Sequence, residues 1–223
     1  MCPQLCDFTE TALGYPGYCI CSKGGCQCRR AARPSVPLSF TGTDATLLDE
    51  ASPLVVVELS GNGVPLADLR AAEAARCADL VRAYDAGAFV VTPHHAQRLA
   101  VSAALGPLAA RCTIDTVERM QGRERDLVIV CFAGLDLYGE DDGVELDFVY
   151  DACRIVVALT RAKKKCVVLA TERLFDPSMH VFDTPARREA YHLLLGVRAY
   201  ADGRGAVVSR ALAAPFVLAA VVP

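Results

Sequence analysis

The sequence predicts an α/β fold in which a parallel β-sheet carries helices on both faces. From Leu54 onward, short apolar runs with the length of buried strands alternate with longer amphipathic segments. This alternation is typical of strand–helix–strand units. The runs consist almost entirely of aliphatic residues, as expected for strands that helices cover on both sides. An irregular, cysteine-rich segment precedes the pattern.

Two strand–helix units open the predicted domain. The strands are expected over residues 54–59 and 88–91, and the helices over 66–87 and 94–105. In the first helix the apolar side chains recur near one face, and Gly87 is a C-terminal stop. Thr92 is predicted to cap the second helix, with Pro93 at its first position.

The remaining elements continue the alternation as far as residue 203. They are a strand near 111–115, a strand over 126–132, an acidic loop over 136–147, a helix over 152–164, a strand over 166–171 and a helix over 184–203. The chain is therefore predicted to consist of a cysteine-rich appendage and linker (1–53), an α/β domain (54–203) and a C-terminal tail (204–223).

Composition narrows the class of protein. Hydrophobic residues make up 53% and charged residues 22% of the 223 residues, which is a globular composition. The net charge of -3 gives no global basic field, although a local patch could still bind phosphates. The longest apolar stretch, 211–223, has 13 residues and two prolines, too short for a membrane span. No secretory signal opens the sequence, so we expect an intracellular protein of the cytoplasm or nucleus.

The cysteines are unevenly placed along the chain. Six of the 11 fall within the first 28 residues, namely Cys2, Cys6, Cys19, Cys21, Cys26 and Cys28. Thiolates are preferred zinc ligands, but the spacing of these six is not a standard zinc pattern. Zinc binding and a reduced cysteine-rich tail both stay open. The other five are scattered among apolar neighbours and are predicted to be small core residues.

Three sequence blocks resemble the C-terminal RecA-like domain of superfamily 1 helicases. They are VVTPHHAQR (90–98), TVERMQGRERDLVIV (116–130) and RIVVALTRAKKKCVVLA (154–170), which are similar to helicase motifs IV, V and VI in the order of the family. The resemblance covers residues 54–175 and is nearest to the branch of the nonsense-mediated-decay and Okazaki-processing helicases. It implies a three-layer RecA-like fold of the P-loop NTPase type.

The resemblance also implies roles for individual residues. Arg98 and Arg161 match the two arginines that reach the γ-phosphate of ATP, a role suited to an always-charged guanidinium with a fork of donors. Gln121, Gly122 and Glu124 match the nucleotide-contacting turn, in which the carboxylate accepts hydrogen bonds from the ribose. The implied contacts with the nucleic-acid strand are made by residues before this turn and in motif IV, namely Thr116, Val117 and Thr92.

The sequence departs from the family in two ways. Val156 stands where the family has Asn in motif VI, which removes a polar contact inside the motif. No GxxxxGK[ST] phosphate loop occurs in the chain, and the only acidic pair with a Walker B look, Asp49-Glu50, does not end an apolar strand. ATP and Mg²⁺ would therefore need an N-terminal RecA-like lobe, in cis or in trans.

Two functions stay open on these grounds. The chain is expected to be the second motor lobe of an ATP-dependent DNA or RNA helicase, inactive as an ATP hydrolase by itself. The alternative is a non-enzymatic orphan lobe that binds nucleic acid or a protein partner. The motif arginines favour the first function by ancestry, and the missing phosphate loop favours the second.

Overall fold

The described part of the protein is built on one parallel β-sheet. The structure is a computed structural model that describes residues 53–60, 64–84, 87–120, 122–132, 142–203 and 207–211. The strands are β1 (Leu54–Ser60), β2 (Ala88–Val91), β3 (Thr113–Asp115), β4 (Arg125–Cys131), β5 (Ala162–Ala170) and β6 (Val207–Ala211). They lie in the order β3-β2-β4-β5-β1-β6, and every neighbouring pair is parallel.

Helices connect the strands, except that a 3-10 turn lies between β3 and β4. They are α1 (Leu66–Ala83), α2 (His95–Leu105), α3 (Asp142–Val149), α4 (Ala152–Leu159), α5 (Glu172–Phe175) and α6 (Pro185–Asp202), with 3-10 turns at Gly106–Arg111, Val117–Met120 and Met179–Phe182. Helix α1 packs on α2, and α4 packs on α6. The connections through α1 and α2 lead toward the β3 side of the sheet, and those through α4 and α6 lead toward the β6 side. Because such connections are right-handed, the two helix pairs lie on opposite faces. The predicted three-layer α/β fold, with helices on both faces of a parallel sheet, is confirmed.

The core lies on both sides of the central strands. Phe89, Val128, Ile129 and Val167 are fully buried, because helices cover the sheet on each face. The aliphatic runs that predicted the strands are thus explained by two-sided burial. Strand β4 pairs with both β2 and β5 and occupies the middle of the sheet.

The second helix begins later than predicted. The structure starts α2 at His95, and the N-cap residue is His94, whose side chain makes no capping hydrogen bond. Thr92 is not the cap. Its backbone N–H donates to the carbonyl of Asp115 at 3.0 Å, which holds Thr92 as an extension of β2 beside β3. Pro93 therefore lies between the extended end of β2 and the start of α2, and not at the first position of the helix.

The motif VI helix is shorter than predicted. It ends at Leu159, and residues 162–165 belong to β5. The amide of Arg125 donates to the carbonyl of Arg161 at 3.1 Å, so pairing with β4 begins directly after the helix. Lys163 and Lys164 therefore lie on a strand, whereas the sequence had placed them at the end of the helix.

Two further elements were not predicted. Helix α3 occupies part of the acidic segment expected to be a loop. Strand β6 lies within the predicted C-terminal tail and pairs with β1, from Val56 opposite Val207 onward. The sheet therefore extends past the expected domain end at residue 203.

The prediction for the scattered cysteines is correct only in part. Cys77, Cys131 and Cys166 are buried in the core. Cys112 is half-buried, and Cys153 is exposed because it lies on the outer side of α4. The six N-terminal cysteines lie outside the described residues.

Candidate nucleotide and nucleic-acid interface

Motif V lies next to motif VI at the amino edge of the sheet, by which we mean the side where the parallel strands begin. Arg125 pairs in register with Ala162, and the Arg125 amide donates to the Arg161 carbonyl at 3.1 Å. Glu124 immediately precedes Arg125, so its exposed carboxylate lies on the same edge as Arg161. Two segments that are 36 residues apart in sequence, by the difference between 161 and 125, are thereby brought together.

Gly122 shapes the turn that leads to Glu124. Its φ is 73°, in the left-handed region, where residues with a Cβ are strained. The Arg123 amide donates to the Met120 carbonyl at 3.2 Å and closes this turn. A Cβ at Gly122 would meet no atom within 4 Å, so the glycine is required by the backbone conformation and not by crowding. Gln121 lies outside the described residues.

The guanidinium of Arg161 is folded back on its own helix end. Nε donates to the Val157 carbonyl at 3.0 Å, and Nη2 donates to Thr160 Oγ1 at 3.1 Å. Thr160 in turn donates to the Val156 carbonyl at 2.8 Å. Orphan carbonyls at a helix C-terminus accept such bonds from a cation. These two bonds use two of the five N–H donors of the guanidinium, so a ligand oxygen can bond to the others without displacing them.

Further arginines line the amino edge. The guanidinium carbons of Arg123 and Arg125 lie 5.4 and 4.8 Å from the centre of the Phe89 ring. Both side chains are largely exposed beyond this contact. With Arg161 they make a cationic surface beside the carboxylate of Glu124, and such a surface suits an anionic ligand with hydroxyl groups.

A second cluster of polar side chains surrounds Asp115 at the carboxyl edge, the side of the sheet where the strands end. Its Oδ1 accepts from the Thr116 amide at 3.0 Å and from Arg98 Nη1 at 3.4 Å. Arg119 Nη1 lies 3.5 Å from Oδ2. Arg98 also lies 2.9 Å from His95 Nδ1, through Nη2. Three predicted site residues, Thr92, Arg98 and Thr116, thus meet at one acid that the sequence did not single out.

The two predicted phosphate-binding arginines lie at opposite edges of the sheet. Asp115, the partner of Arg98, is level with Val91 and hence with Val130 of β4. Five strand residues at about 3.3 Å each, roughly 17 Å, separate that level from Arg125 beside Arg161. The structure therefore does not bring Arg98 and Arg161 together.

Arg154 links the motif V turn to the motif VI helix. Its Nε donates to Glu118 Oε1 at 2.9 Å and lies 3.9 Å from Asp151 Oδ2. Burial alone would raise the pKa of Glu118, but hydrogen bonds from its own backbone, from Thr116 and from Arg154 hold that pKa below its ordinary value. Val117 is buried beside this link. The sequence signals for the Glu118–Arg154 link were an acid in motif V and an arginine at the start of motif VI.

Val156 fits its place in the motif VI helix. It is 8% exposed and packs in the hydrophobic core, where an unpaired amide would be costly. Its backbone carbonyl accepts the Thr160 hydroxyl. An aliphatic side chain therefore suits the burial of this position.

Comparison with known proteins supports a helicase-like domain. Residues 72–173 match the model of a family described as an AAA domain. The DNA replication ATP-dependent helicase/nuclease DNA2 of Xenopus tropicalis is 33% identical over 111 residues, which cover 44% of this chain and 10% of that protein. The same protein of Xenopus laevis is 32% identical over 95 residues, covering 42% and 8% respectively. The chain thus spans a tenth or less of the length of these relatives.

A solved structure gives a more distant likeness. It is the C-terminal domain of a possible DNA helicase from Lactobacillus plantarum WCFS1, with 15% identity and a TM-score of 0.34. The alignment covers 77% of this chain and 98% of that one.

Two absences concern the described residues alone. Among them, no helix is long and apolar enough to cross a membrane. The same ranges contain no group of three or more His, Cys, Asp or Glu side chains arranged to hold a metal ion. The zinc prediction concerns cysteines outside those ranges.

Proposed function

We propose that this chain is the second, C-terminal motor lobe of an ATP-dependent DNA or RNA helicase. The observation that carries the proposal is the joining of Glu124 and Arg161 at the amino edge through the Arg125–Arg161 backbone bond. The similarity of residues 72–173 to an AAA domain, and of the chain to two DNA replication helicase/nucleases, supports it. Membership of the nonsense-mediated-decay and Okazaki-processing branch is part of the proposal.

The amino edge carries groups that suit the phosphates and the ribose of a bound nucleotide. Arg161 has a guanidinium that is matched to phosphate oxygens, and Glu124 has an exposed carboxylate that can accept ribose hydroxyls. Gly122 leaves open space at the turn between them. ATP with Mg²⁺, when bound, supplies the phosphoryl group that is transferred. This chain contributes charge and orientation, because positioning and charge stabilisation account for most of such catalysis.

Arg98 needs a rearrangement to take part in the same reaction. It is held by Asp115 at the carboxyl edge, at the opposite end of β2 from the nucleotide-facing turn. We propose that it leaves Asp115 when the two lobes close, and that Arg161 is the arginine already placed on the nucleotide side. Lobe closure is a common way to complete a catalytic site.

The nucleic-acid strand is proposed to lie along the carboxyl edge. Thr92, Thr116 and Val117 follow β2 and β3 at this edge. The side chains of Thr92 and Val117 are buried, so the surface offered to the strand consists of the partly exposed Thr116 and the exposed guanidinium of Arg119. Ligands of open parallel sheets bind outside the carboxyl ends of strands. The Arg154–Glu118 ion pair then connects the turn that is proposed to face the nucleic acid to helix α4, which ends two residues before Arg161.

The missing phosphate loop is the reason for a second proposal, a non-enzymatic binding lobe. The sequence contains no GxxxxGK[ST], so nothing in it can hold the triphosphate in the manner of a first lobe. An orphan lobe that binds nucleic acid or a protein, with or without zinc at the N-terminal cysteines, would need no phosphate loop. Either form is proposed to be intracellular.

One experiment separates the two functions. ATP hydrolysis is measured with and without single-stranded nucleic acid, first for this chain and then after addition of a chain from the adjacent coding sequence that carries a phosphate loop. The motor lobe predicts hydrolysis that is stimulated by nucleic acid only in the mixture. Unstimulated hydrolysis in the mixture, together with binding of nucleic acid by this chain alone, would favour the orphan lobe.

A further inference from the structure

Thr160 lies between helix α4 and the arginine that follows it. The residue is buried, with 2% of its surface exposed, and its Oγ1 donates to the Val156 carbonyl at 2.8 Å. A threonine hydroxyl in a helical position commonly bonds to the carbonyl three or four residues earlier. Because this bond uses the single hydroxyl proton, the lone pairs of the oxygen are left to accept hydrogen bonds.

Arg161 donates to one of these lone pairs. Its Nη2 donates to Thr160 Oγ1 at 3.1 Å, and its Nε donates to the Val157 carbonyl at 3.0 Å. The guanidinium is planar, and Nε and Nη2 lie along one of its edges. The two bonds therefore hold that edge against the end of α4 and fix the plane of the group.

A second edge of the guanidinium is left for a ligand. The two bonds use two of the five N–H donors, so both N–H groups of Nη1 and one of Nη2 are not used by them. One N–H of Nη1 and the remaining N–H of Nη2 point in the same direction, and such a fork matches two oxygens of a phosphate. The side chain of Arg161 is partly exposed at the amino edge, where a ligand can reach it.

The backbone and the side chain of Arg161 are held by separate bonds. The Arg161 carbonyl accepts from the Arg125 amide at 3.1 Å, which fixes the main chain beside β4. This bond does not restrict the long side chain, and ordering a flexible side chain on a ligand costs conformational entropy. The Thr160 hydroxyl supplies part of that order before the ligand binds.

We propose that Thr160 is a positioning residue for Arg161, because its hydroxyl holds the guanidinium with the free fork directed toward the phosphates of the nucleotide. The proposal rests on the proposed function, in which Arg161 stabilises the phosphoryl group that is transferred. It adds a residue that itself touches no ligand, whereas the motif resemblance implies a role for Arg161 alone of the two. Such a residue affects the rate because a displacement of about 1 Å in a catalytic group can cost about a hundredfold.

Steady-state hydrolysis by the mixture with a phosphate-loop lobe tests this role. Thr160→Val keeps the size and branching of the side chain and removes the hydroxyl, whereas Thr160→Ser keeps the hydroxyl. We expect Thr160→Val to lower kcat about ten- to hundredfold and to leave KM for ATP within about twofold, because the interaction of Arg161 strengthens in the transition state. Thr160→Ser should restore most of kcat. A loss that Thr160→Ser does not restore would assign the effect to packing and overturn the positioning role.

Nitrogen-15 NMR of this chain gives a second readout that needs no other lobe. Because the Arg161 guanidinium is held at both Nε and Nη2, it should rotate slowly and show separate Nη signals, which are identified by their loss in Arg161→Ala. Thr160→Val should merge these signals, and Thr160→Ser should keep them separate. Identical Arg161 signals in Thr160→Val and the wild type would show that the hydroxyl does not hold the guanidinium, which contradicts the proposal.

Failure of this inference differs from failure of the proposed function. If Arg161→Ala abolishes hydrolysis by the mixture while Thr160→Val is as active as the wild type, the positioning role is wrong and the motor-lobe function stands. If Arg161→Ala hydrolyses ATP as the wild type does, the nucleotide-facing role of Arg161 fails and the positioning role fails with it.

Discussion

The amide of Arg125 donates a hydrogen bond to the carbonyl of Arg161, and this one bond joins motif V to motif VI at the amino edge of the sheet. Glu124 and Arg161 thereby lie directly before the neighbouring central strands β4 and β5. An acid and a cation on rigid strand ends form a more precise site than the same groups on loops.

Gly122→Ala should destabilise the protein. The residue has a φ of 73°, and a left-handed conformation costs a residue with a Cβ about 1–2 kcal/mol. The measurement is the free energy of unfolding in urea. Gly203→Ala is the matched control, because Gly203 has a φ of -60° and should tolerate the methyl group with a smaller effect. An equal loss in both variants would show that the turn does not depend on the conformation of Gly122.

Thr92→Val should stabilise the protein in the absence of nucleic acid. The substitution replaces a buried hydroxyl, which no described residue partners, with a methyl group of similar size. Relief of an unsatisfied hydroxyl contributes about 1 kcal/mol, which raises the melting temperature by about 2–4 °C in a protein of this size. Thr160→Val, which removes a hydroxyl bonded to the Val156 carbonyl, is the contrasting control and should not stabilise. A lowered melting temperature for Thr92→Val would mean that the hydroxyl is satisfied in solution.

The Glu118–Arg154 link should make stability depend on pH in the acid range. Because hydrogen bonds from the backbone, Thr116 and Arg154 outweigh burial, the pKa of Glu118 is lower in the folded protein than its ordinary value of 4.5. A lowered carboxyl pKa contributes stability that is present above the ordinary value and is lost as pH falls through the folded value. The melting temperature of Glu118→Gln should therefore depend less on pH below about 5 than that of the wild type. Identical pH profiles would exclude a stabilising role for the charged form.

The buried thiols should resist alkylation. Burial raises the pKa of Cys166 to about 12, and Cys153 is exposed on α4. Since the thiolate is the reactive form, iodoacetamide at pH 8 should modify Cys153 quickly and Cys166 only after unfolding. Peptide mass spectrometry at successive times measures both rates. Rapid modification of Cys166 in the folded protein would contradict its place in the core.

The fold could be predicted from sequence because burial on both faces leaves a strong pattern. The strand over 88–91 was predicted with the bounds that the structure shows, and the long helices differ by a few residues at their ends. The failures occurred where pairing overrides local preference. Residues 162–165 have a helical pattern but pair with β4, and β6 lies in a segment that contains no period of its own.

The site could be predicted in part. Resemblance to helicase motifs identified Arg161 and Glu124, which the structure places on one edge. It could not reveal Asp115, because an acid at the end of a short strand has no distinctive spacing. The separation of Arg98 from Arg161 was equally hidden, since it depends on the register of three parallel strands and not on any sequence interval.

The isolated chain should not hydrolyse ATP, because the sequence has no phosphate loop. Release of phosphate by a pure sample is the measurement, with and without single-stranded DNA or RNA. Robust turnover that Arg161→Ala abolishes would show that the chain contains a complete site.

The most direct test of the central claim is the effect of Arg161→Ala when a lobe with a phosphate loop is present. Hydrolysis stimulated by nucleic acid is measured for the mixture of the two chains, with Lys163→Ala, an exposed cation two residues away, as the control. We predict that Arg161→Ala lowers the rate by at least about a thousandfold, as for arginines that stabilise phosphoryl transfer, without changing the melting temperature by more than a few degrees. Lys163→Ala should keep nearly the full rate. Equal hydrolysis by Arg161→Ala and the wild type would contradict the assignment of the amino edge as the nucleotide-facing half of the site.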